Sequence, residues 1–264
     1  MPVHARSSVG LLLLALFTAC LWAQNPLAKA HSHNDYQHAR PLLDALEEGF
    51  CSVEADIFLV NGQLLVAHDE DEINPERTLE ALYLEPLKSR VKQNGGTVHT
   101  SVCPFTLMID VKSAAEPTWK ALAKVLERYR DMLTAFEETK VKSGAVTVLV
   151  SGNRAASLMM KHKVRYAGLD GRIADVDLGL TPTLMPLLSD NWTRYFTWSG
   201  KGRIQPKEHA QLKAMVEKAH AAGYLIRFWA SPDDPAGWSL LREAGVDMIN
   251  TDNLKGLSRF LREE

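Results

Sequence analysis

The chain has 264 residues, of which 46% are hydrophobic and 23% charged, and this balance excludes a disordered or fibrous protein. Its 30 basic and 32 acidic residues are interspersed and give a formal net charge of -2. No run of Lys and Arg forms a strip for nucleic-acid phosphates, so we expect no nucleic-acid partner.

The N-terminus has the pattern of a secretion signal. The apolar stretch from residue 9 to 21 is long enough for a signal-peptide core and short for a membrane span. Ala23 is a suitable cleavage residue, while Cys20 lies in a sequence similar to a bacterial lipobox. We therefore predict a signal peptide at residues 1–23 and a secreted or cell-envelope protein, periplasmic in a Gram-negative cell. Lipid anchoring at Cys20 and an uncut membrane anchor stay open as alternatives.

From residue 24 to 264, apolar segments of strand length alternate with amphipathic segments of helix length. This order predicts parallel strands joined by helical crossovers, and eight strands are the number of a TIM (β/α)8 barrel of the α/β class. The predicted strands are Leu27–His33, Cys51–Val60, Phe105–Val111, Ala145–Ser151, Val164–Leu169, Thr183–Leu188, Tyr224–Ala230 and Val246–Thr251.

The predicted helices follow from their periodicity and from Pro near the start or Gly just past the end. They are Pro41–Gly49, Glu116–Lys140, Asn153–Lys163, Pro206–Gly223, Pro235–Gly245 and Leu254–Arg262. Residues 189–203 are expected to form a long loop. A doubly wound open sheet is the alternative architecture, but no Gly-rich phosphate loop follows any predicted strand.

Two cysteines, Cys51 and Cys103, precede predicted strands of the mature chain. An oxidising compartment permits a disulfide between them, and two buried free thiols are an equally good interpretation.

Three predicted strands end in polar residues spaced two apart, so that both members of each pair share one face of a strand. Because charged groups among apolar neighbours are costly to bury alone, we expect them at a metal, at each other or at the barrel mouth. The pairs are His31 with His33, Glu54 with Asp56, and Asp110 with Lys112.

A hairpin after the second strand is expected to bring a histidine to the carboxylates. Asn61-Gly62 is typical of a two-residue turn, and this turn fixes the register of the strands on either side. In that register His68 lies opposite Ala55, between the two carboxylates of the second strand.

Five segments, taken as an ordered set, resemble the signatures of the glycerophosphodiester phosphodiesterase and phosphatidylinositol phospholipase C superfamily. The resemblance spans nearly the whole mature chain and implies a TIM-barrel phosphodiesterase. The segments are 30–31, 52–57, 66–69, 107–112 and 244–252.

Within that superfamily, residues 31–36 and 228–233 look most like the altered-inheritance-of-mitochondria branch. Asp110 is similar to the spider-venom sphingomyelinase D pattern, where glycerophosphodiesterases usually have glutamate. Ser32 and His33 depart from the His-Arg-Gly motif of glycerophosphodiesterases. The resemblance thus implies the reaction type and leaves the substrate open.

The resemblance also implies roles for individual residues. One divalent cation, Mg²⁺ or Ca²⁺, would be held by Glu54, Asp56 and Asp110, since hard cations prefer carboxylate oxygens. Lys112 would bind a phosphate oxygen. His31 and His68 would act as general base and general acid.

Three further residues are candidate substrate contacts. His33 is a substrate-binding candidate that is also able to replace His31 as the catalyst or to support it, and His31 is preferred. Asn34 is a phosphate-contact candidate or a plain turn residue, and Trp229 stacks on the substrate or packs in the core.

Two rival functions are weighed against this one. Zinc amidohydrolases use a His-x-His pair such as His31 and His33, but they need later histidines, and none occurs between His162 and His209. A barrel that binds a lipid or polyol phosphate without turnover is the non-enzyme alternative. The metal-free phospholipase C branch is disfavoured by the three carboxylates.

The expected substrate is a phosphodiester, derived in particular from a phospholipid. Its identity depends on the conformations of the mouth loops 69–94, 170–181 and 189–203, and sequence patterns do not predict these conformations. Trp192 and Trp198 in the last of these loops are candidates for peripheral membrane contact. The oligomeric state is not readable from the sequence.

Overall fold

Eight parallel strands close into a barrel in the computed structural model of the chain, which describes residues 25–263. The strands in chain order are β1 Leu27–Ser32, β2 Phe50–Val60, β3 Gln63–Val66, β4 Phe105–Val111, β5 Ala135–Glu137, β6 Val141–Lys142, β7 Val146–Gly152, β8 Val164–Arg165, β9 Gly168–Gly171, β10 Leu187–Asn191, β11 Leu225–Trp229 and β12 Met248–Thr251. The barrel order is β1, β12, β11, β10, β9, β7, β4 and β2, and the pairing of β1 with β2 closes it.

Helices follow most barrel strands and cover the outside of the barrel. They are α1 Leu43–Glu47, α2 Glu85–Gln93, α3 Ala115–Glu127, α4 Ala156–Met159, α5 Pro206–Ala221, α6 Pro235–Ala244 and α7 Leu254–Arg262. A π-helical segment, Glu80–Leu84, leads into α2. Short 3₁₀ turns occur at Asp35–Gln37, Glu70–Glu72, Ile173–Leu178 and Trp192–Arg194. The predicted fold class is therefore confirmed.

The side-chain alternation of the strands separates two cores. Val53, Ala55 and Ile57 of β2 belong to the large cluster that the strands share with the surrounding helices. A second cluster of four buried residues is formed by alternating positions on four barrel strands: Met108, Leu149, Leu187 and Met248. This small apolar cluster shares strand positions with buried polar residues, since Met108 is the register partner of Glu54 and Met248 that of Arg227.

Two predicted strands are placed differently by the structure. The predicted fifth strand divides into β8, which pairs with β5 in a separate three-stranded sheet, and the barrel strand β9. The sixth begins at Leu187 instead of Thr183, because residues 181–185 form a turn and Pro186 has no N–H to donate to a strand.

Helix prediction failed in two places. The helix expected at Glu116–Lys140 ends at Glu127, and the remaining residues turn and form β5, which leads through a hairpin into β6. Conversely, α2 lies in a segment taken as loop. The buried residues Leu79, Tyr83 and Leu87, which run from the start of the π-helical segment into α2, have a four-residue spacing that is the signal for this helical region.

The hairpin register predicted from Asn61-Gly62 is confirmed. Val60 pairs with Gln63 and Ile57 with Val66, and the Ala67 N–H donates to the Asp56 carbonyl at 3.3 Å. Asn61 has a φ of 49°, the left-handed conformation that this turn type requires. The chain therefore carries His68 to the level of Asp56.

The segment 189–203 is not a plain loop. β10 extends to Asn191, and the following Trp192 is 2% exposed and packs on Phe196 and Phe228. Its indole N–H donates to the Trp198 carbonyl at 2.9 Å. Trp192 is therefore a core residue, which removes it from the expected membrane contact.

The predicted signal peptide, its cleavage after residue 23 and lipid anchoring at Cys20 lie outside the described residues. Across residues 25–263, no helix is long and apolar enough to cross a membrane.

Cys51 in β2 and Cys103 before β4 form a disulfide with a sequence separation of 52 residues. This result decides between the two interpretations of the cysteines in favour of a covalent link between neighbouring barrel strands.

The disulfide predicts a measurable dependence of stability on reductant. Closing a loop of this length stabilises a fold by up to about 4 kcal/mol, chiefly by restricting the unfolded chain. We expect dithiothreitol to lower the free energy of unfolding, measured in urea, by an amount approaching this. The Cys51→Ser/Cys103→Ser double variant should show the same loss and no response to reductant. An unchanged urea midpoint for the reduced wild type would contradict the prediction.

Candidate active site

The polar side chains of β1, β2 and β4 converge at the carboxyl ends of these strands, where the mouth of the barrel lies. Asp56 and Asp110 are direct partners in the β2–β4 register. Glu54 lies one step deeper on the same face of β2. The three predicted metal-binding carboxylates are therefore neighbours.

A buried ion pair forms the floor of this site. The Arg227 guanidinium on β11 donates to Glu54 Oε2 at 2.7 Å and to Asn250 Oδ1 at 2.6 Å, and Arg227 is 2% exposed. Burial of Glu54 would raise its pKa, but the charge of Arg227 and a hydrogen bond from His31 hold the pKa well below its usual range. Glu54 therefore stays ionised inside the barrel.

His31 is enclosed by the same network. Its Nδ1 lies 2.6 Å from Ser52 Oγ and its Nε2 3.2 Å from Glu54 Oε2, and the residue is fully buried. Burial, and next the charge of Arg227, lower the pKa of His31 to about 4. Both ring nitrogens are thus engaged and the ring is neutral near pH 7. This placement does not support His31 as the histidine that meets a substrate.

A lysine links the two outer carboxylates. Lys112 Nζ lies 3.0 Å from Asp56 Oδ2 and 3.1 Å from Asp110 Oδ1. Burial would lower the pKa of Lys112, but the charges of Asp110 and Asp56 outweigh it and raise the pKa. Lys112 is therefore a cation at the mouth, at the position predicted for a phosphate contact.

His68 is held by Asp56 and by a tyrosine from the loop after β1. The His68 Nδ1 lies 3.1 Å from Asp56 Oδ2 and 2.8 Å from the Tyr36 hydroxyl, which donates to Asp56 Oδ2 at 2.7 Å. Nδ1 therefore carries the proton. The His68 side chain is 44% exposed, and its Nε2 makes no hydrogen bond within residues 25–263.

A second histidine–aspartate pair lies at the carboxyl ends of β1 and β12. His33 Nδ1 donates to Asp252 Oδ1 at 2.9 Å, the side chain is 27% exposed, and its Nε2 has no hydrogen-bond partner in the part of the chain that the structure describes. Burial would lower the pKa of His33, but the bond to Asp252 and the charge of Glu54 raise it. His33 therefore has the anchored, accessible arrangement that was expected of His31.

The remaining predicted contacts surround these pairs. Asn34 has a left-handed φ of 49°, and its amide donates to Asp252 Oδ1 at 3.4 Å. Trp229 ends β11 next to the mouth and is partly exposed, outside both apolar clusters. Asn34 therefore lies next to the His33–Asp252 pair, and Trp229 lies at the carboxyl end of β11.

Each of the three carboxylates has one oxygen that is not used by a described residue and is available to a hard cation. Glu54 and Asp110 each use one oxygen for their contacts with described residues, and Asp56 Oδ1 is buried without a partner. Burial and the charge of Glu54 raise the pKa of Asp56, so a cation would be favoured here. In their present positions, however, no three acidic, histidine or cysteine side chains of residues 25–263 form a ready metal cage.

Sequence reasoning missed two residues of the site. Arg227 is separated from Glu54 by 173 positions and lies in an apolar strand segment, and a lone cation there was the available signal. Tyr36 belongs to the motif at residues 31–36, yet only the fold brings its hydroxyl to Asp56 and His68.

His31 and His33 contact different partners, Glu54 on one side and Asp252 on the other. They do not converge as the zinc amidohydrolase alternative requires.

The barrel with carboxylates, lysine and histidines at its mouth is that of a phosphodiesterase-type TIM barrel. Residues 24–170 match the AIM6-like phosphodiesterase domain, and residues 226–255 match the glycerophosphoryl diester phosphodiesterase family. The chain belongs to the AIM6-like phosphodiesterase domain family.

Relatives and solved structures agree with this assignment. The chain is 31% identical over 260 residues to the altered inheritance of mitochondria protein 6 homolog of Arthroderma benhamiae, covering 87% of this chain and 82% of the relative. It is 27% identical to altered inheritance of mitochondria protein 6 of Saccharomyces cerevisiae, covering 87% and 70%.

Two solved structures share the fold. A glycerophosphodiester phosphodiesterase from Agrobacterium tumefaciens has a TM-score of 0.52 at 17% identity and covers 90% of this chain and all of its own. A phosphodiesterase from Oleispira antarctica, in complex with the product sn-glycerol-3-phosphate, has a TM-score of 0.54 at 14% identity and covers 89% and 97%.

The floor ion pair predicts strong coupling between its members. Arg227→Met leaves the Glu54 charge buried without its partner and should lower the free energy of unfolding by about 3–5 kcal/mol. Adding Glu54→Gln should recover much of this loss, because the uncompensated charge is gone. Urea unfolding of the two single variants and the double variant measures the coupling.

The matched control is the exposed pair of Lys218 and Asp177, whose side chains are 56% and 71% exposed. Lys218→Met should cost less than about 1 kcal/mol. Equal losses for Arg227→Met and Lys218→Met would contradict the assignment of Arg227 to a structural floor.

The His33–Asp252 pair predicts a pKa change. Since Asp252 raises the pKa of His33, Asp252→Asn should lower that pKa, and the stabilising charged pair is present at low pH and lost as pH rises through the folded pKa. NMR titration of the His33 ring measures it. Asp247→Asn removes the partner of His220 and should leave His33 unchanged. A His33 pKa that does not respond to Asp252→Asn would refute the pair.

Proposed function

We propose that the protein hydrolyses a phosphodiester by acid–base catalysis between His68 and His33. The observation that supports it most directly is the pair of histidine–aspartate contacts at the barrel mouth, each with Nδ1 anchored and Nε2 accessible. Anchoring by a carboxylate fixes the tautomer and the orientation of the ring, as acid–base catalysis requires.

In the proposed reaction one histidine accepts a proton at Nε2 from the attacking oxygen as that oxygen bonds to phosphorus. The other histidine donates a proton to the departing alkoxide as the phosphorus–oxygen bond breaks. The attacking group is water or a hydroxyl of the substrate. Attack by water gives a phosphomonoester and an alcohol, and attack by a substrate hydroxyl gives a cyclic phosphate.

Lys112 is proposed to bind a non-bridging phosphate oxygen. Its ammonium lies between Asp56 and Asp110, so a bound phosphate would add a third anionic partner at the open side. Tyr36 keeps the orientation of His68 by holding its Nδ1 side.

Glu54, Asp56 and Asp110 are the residues proposed to hold one Mg²⁺ or Ca²⁺ through their uncommitted oxygens. A bound divalent cation would supply positive charge that neutralises the phosphate as negative charge develops. Asp56 is proposed both to position Lys112, Tyr36 and His68 and to bind the cation. Its Oδ2 contacts these three side chains, while its Oδ1 has no partner among the described residues.

His31 is proposed to be a positioning residue that holds Glu54 from inside the barrel. This assignment revises the preference for His31 over His33, and its physical reason is burial: a ring with both nitrogens engaged cannot exchange a proton with a substrate at the mouth.

The proposed substrate is a phospholipid-derived phosphodiester, in particular one with a glycerol phosphate moiety. The support is the fold shared with the Oleispira antarctica phosphodiesterase, whose structure holds sn-glycerol-3-phosphate. Trp229 and Asn34 are the proposed substrate contacts beside the catalytic pair. Secretion through a signal peptide at residues 1–23 is proposed with it.

The histidine roles are tested by leaving-group dependence. With bis-p-nitrophenyl phosphate the leaving group needs little protonation, whereas an alkyl diester such as glycerophosphocholine needs a general acid. Replacing the general acid should therefore reduce kcat about 10²–10⁴-fold on the alkyl diester and much less on the aryl diester. We compare His68→Asn with His33→Asn. The variant that lacks the general acid should lose much more activity on the alkyl diester than on the aryl diester, and the other variant should not show this difference.

His31→Asn is the matched variant, because it removes the histidine two positions before His33 in the chain. We expect it to reduce stability and metal affinity more than it changes the leaving-group dependence. EDTA should abolish turnover, with Mg²⁺ or Ca²⁺ restoring it, and Asp110→Asn should weaken restoration. No turnover of either diester with any added cation would contradict the proposed function and favour the binding-barrel alternative.

A further inference from the structure

A cavity of about 400 Å³ lies at the amino-terminal side of β9 and β10, the opposite side from the barrel mouth. Its lining comes from the segment around β8, from the turn before β10 and from the β5–β6 hairpin. The lining residues that matter here are Lys161, Lys163, Arg165, Thr181, Thr183 and Glu138.

Arg165 is a buried cation without a counter-ion. It is 6% exposed, its Nη2 donates to the Thr183 carbonyl at 2.6 Å, and its guanidinium lies 5.7 Å from the centroid of the Phe136 ring. Its Nε is buried without a hydrogen-bond partner, and Arg165 makes no ion pair with any described residue. Burial alone lowers its pKa. A buried charge in this condition is costly unless something else neutralises it.

Arg165 lacks the side-chain acceptors that Arg227 has. Arg227 is equally buried, but Glu54 and Asn250 accept its hydrogen bonds. Arg165 has instead a cavity beside it. An anion in that cavity would neutralise the buried charge.

The rest of the lining adds positive charge and hydrogen-bond donors. Lys161 and Lys163 form no ion pair with described residues, and Glu138 is the single carboxylate of the lining. Three cations against one anion leave an excess of two positive charges. The Thr181 and Thr183 hydroxyls lie 2.6 Å apart and can turn toward a ligand.

We propose that this cavity binds a phosphate group, with Arg165 as its buried partner and Lys161 and Lys163 at its rim. Phosphate suits the site because its second ionisation gives about two negative charges near pH 7 and several acceptor oxygens. The site is distinct from the candidate active site and does not depend on the proposed reaction. The phosphate belongs either to a small soluble molecule or to a lipid headgroup.

Inorganic phosphate is the first probe, tested on the mature chain with Lys112→Gln so that the mouth contributes little. A ligand that binds the folded state raises Tm with concentration. We expect phosphate to raise Tm at constant ionic strength, and Lys161→Gln/Lys163→Gln to weaken the effect about tenfold. Lys207→Gln/Lys213→Gln makes the same charge change on exposed positions of α5 and should leave it unchanged.

Arg165→Met is the second variant. It removes the buried charge while keeping an apolar side chain, so it should abolish the phosphate-dependent rise without lowering Tm in phosphate-free buffer. If Arg165→Met does not fold, the lysine pair against its control still decides. An absent Tm rise, or one reduced equally by both lysine pairs, would overturn the proposal.

Vesicles identify the source of the phosphate. Cosedimentation with phosphatidylcholine vesicles that contain phosphatidic acid, lost in Lys161→Gln/Lys163→Gln and absent with phosphatidylcholine alone, assigns a lipid headgroup. A Tm rise with free phosphate and no cosedimentation assigns a soluble ligand. If phosphate gives no Tm rise and the vesicles give no cosedimentation, the site is refuted.

Discussion

The ion pair between Arg227 and Glu54 is the interaction on which the geometry of the site depends. It joins two strands that do not pair with each other, since β12 and β1 lie between β11 and β2 in the strand order. Because both groups are nearly buried, each one makes the burial of the other tolerable. Glu54 in turn fixes His31, and two members of the small apolar cluster, Met108 and Met248, are the register partners of Glu54 and Arg227.

Above this floor, the site is arranged around one carboxylate. Asp56 meets Lys112, Tyr36 and His68 through a single oxygen, while its other oxygen has no partner in the described part of the chain. Such an arrangement combines a cation, an oriented histidine and a free ligand oxygen in one place. The accessible His33 lies at the end of the neighbouring strand β1 and has its own aspartate. The buried pair of Arg227 and Glu54 thus holds the site in place, and the groups proposed to be catalytic lie at the mouth.

Polar residues spaced two apart predicted much of this arrangement, because strand alternation places such pairs on one face. The hairpin turn likewise predicted the approach of His68, since the turn type fixes the register. The sequence did not predict which of the two histidines is buried. The spacing of His31 and His33 predicts one face for both, and only the depth of each along the barrel determines which one is enclosed. That depth depends on the pairing of β1 with β2 and with β12, which is distant in sequence.

The sequence by itself determined the barrel class, most strand positions and the identity of the polar residues at the mouth, because these follow from local periodicity and turn chemistry. It did not determine the ends of the long helix after β4 or the start of β10, where prolines and pairing with distant segments prevail over periodicity. Only the tertiary structure decided that Trp192 is a core residue, that Arg227 pairs with Glu54 and that Arg165 is buried without a counter-ion among the described residues. Each of these depends on which distant segments are brought into contact, and burial and charge pairing act through space and not along the chain.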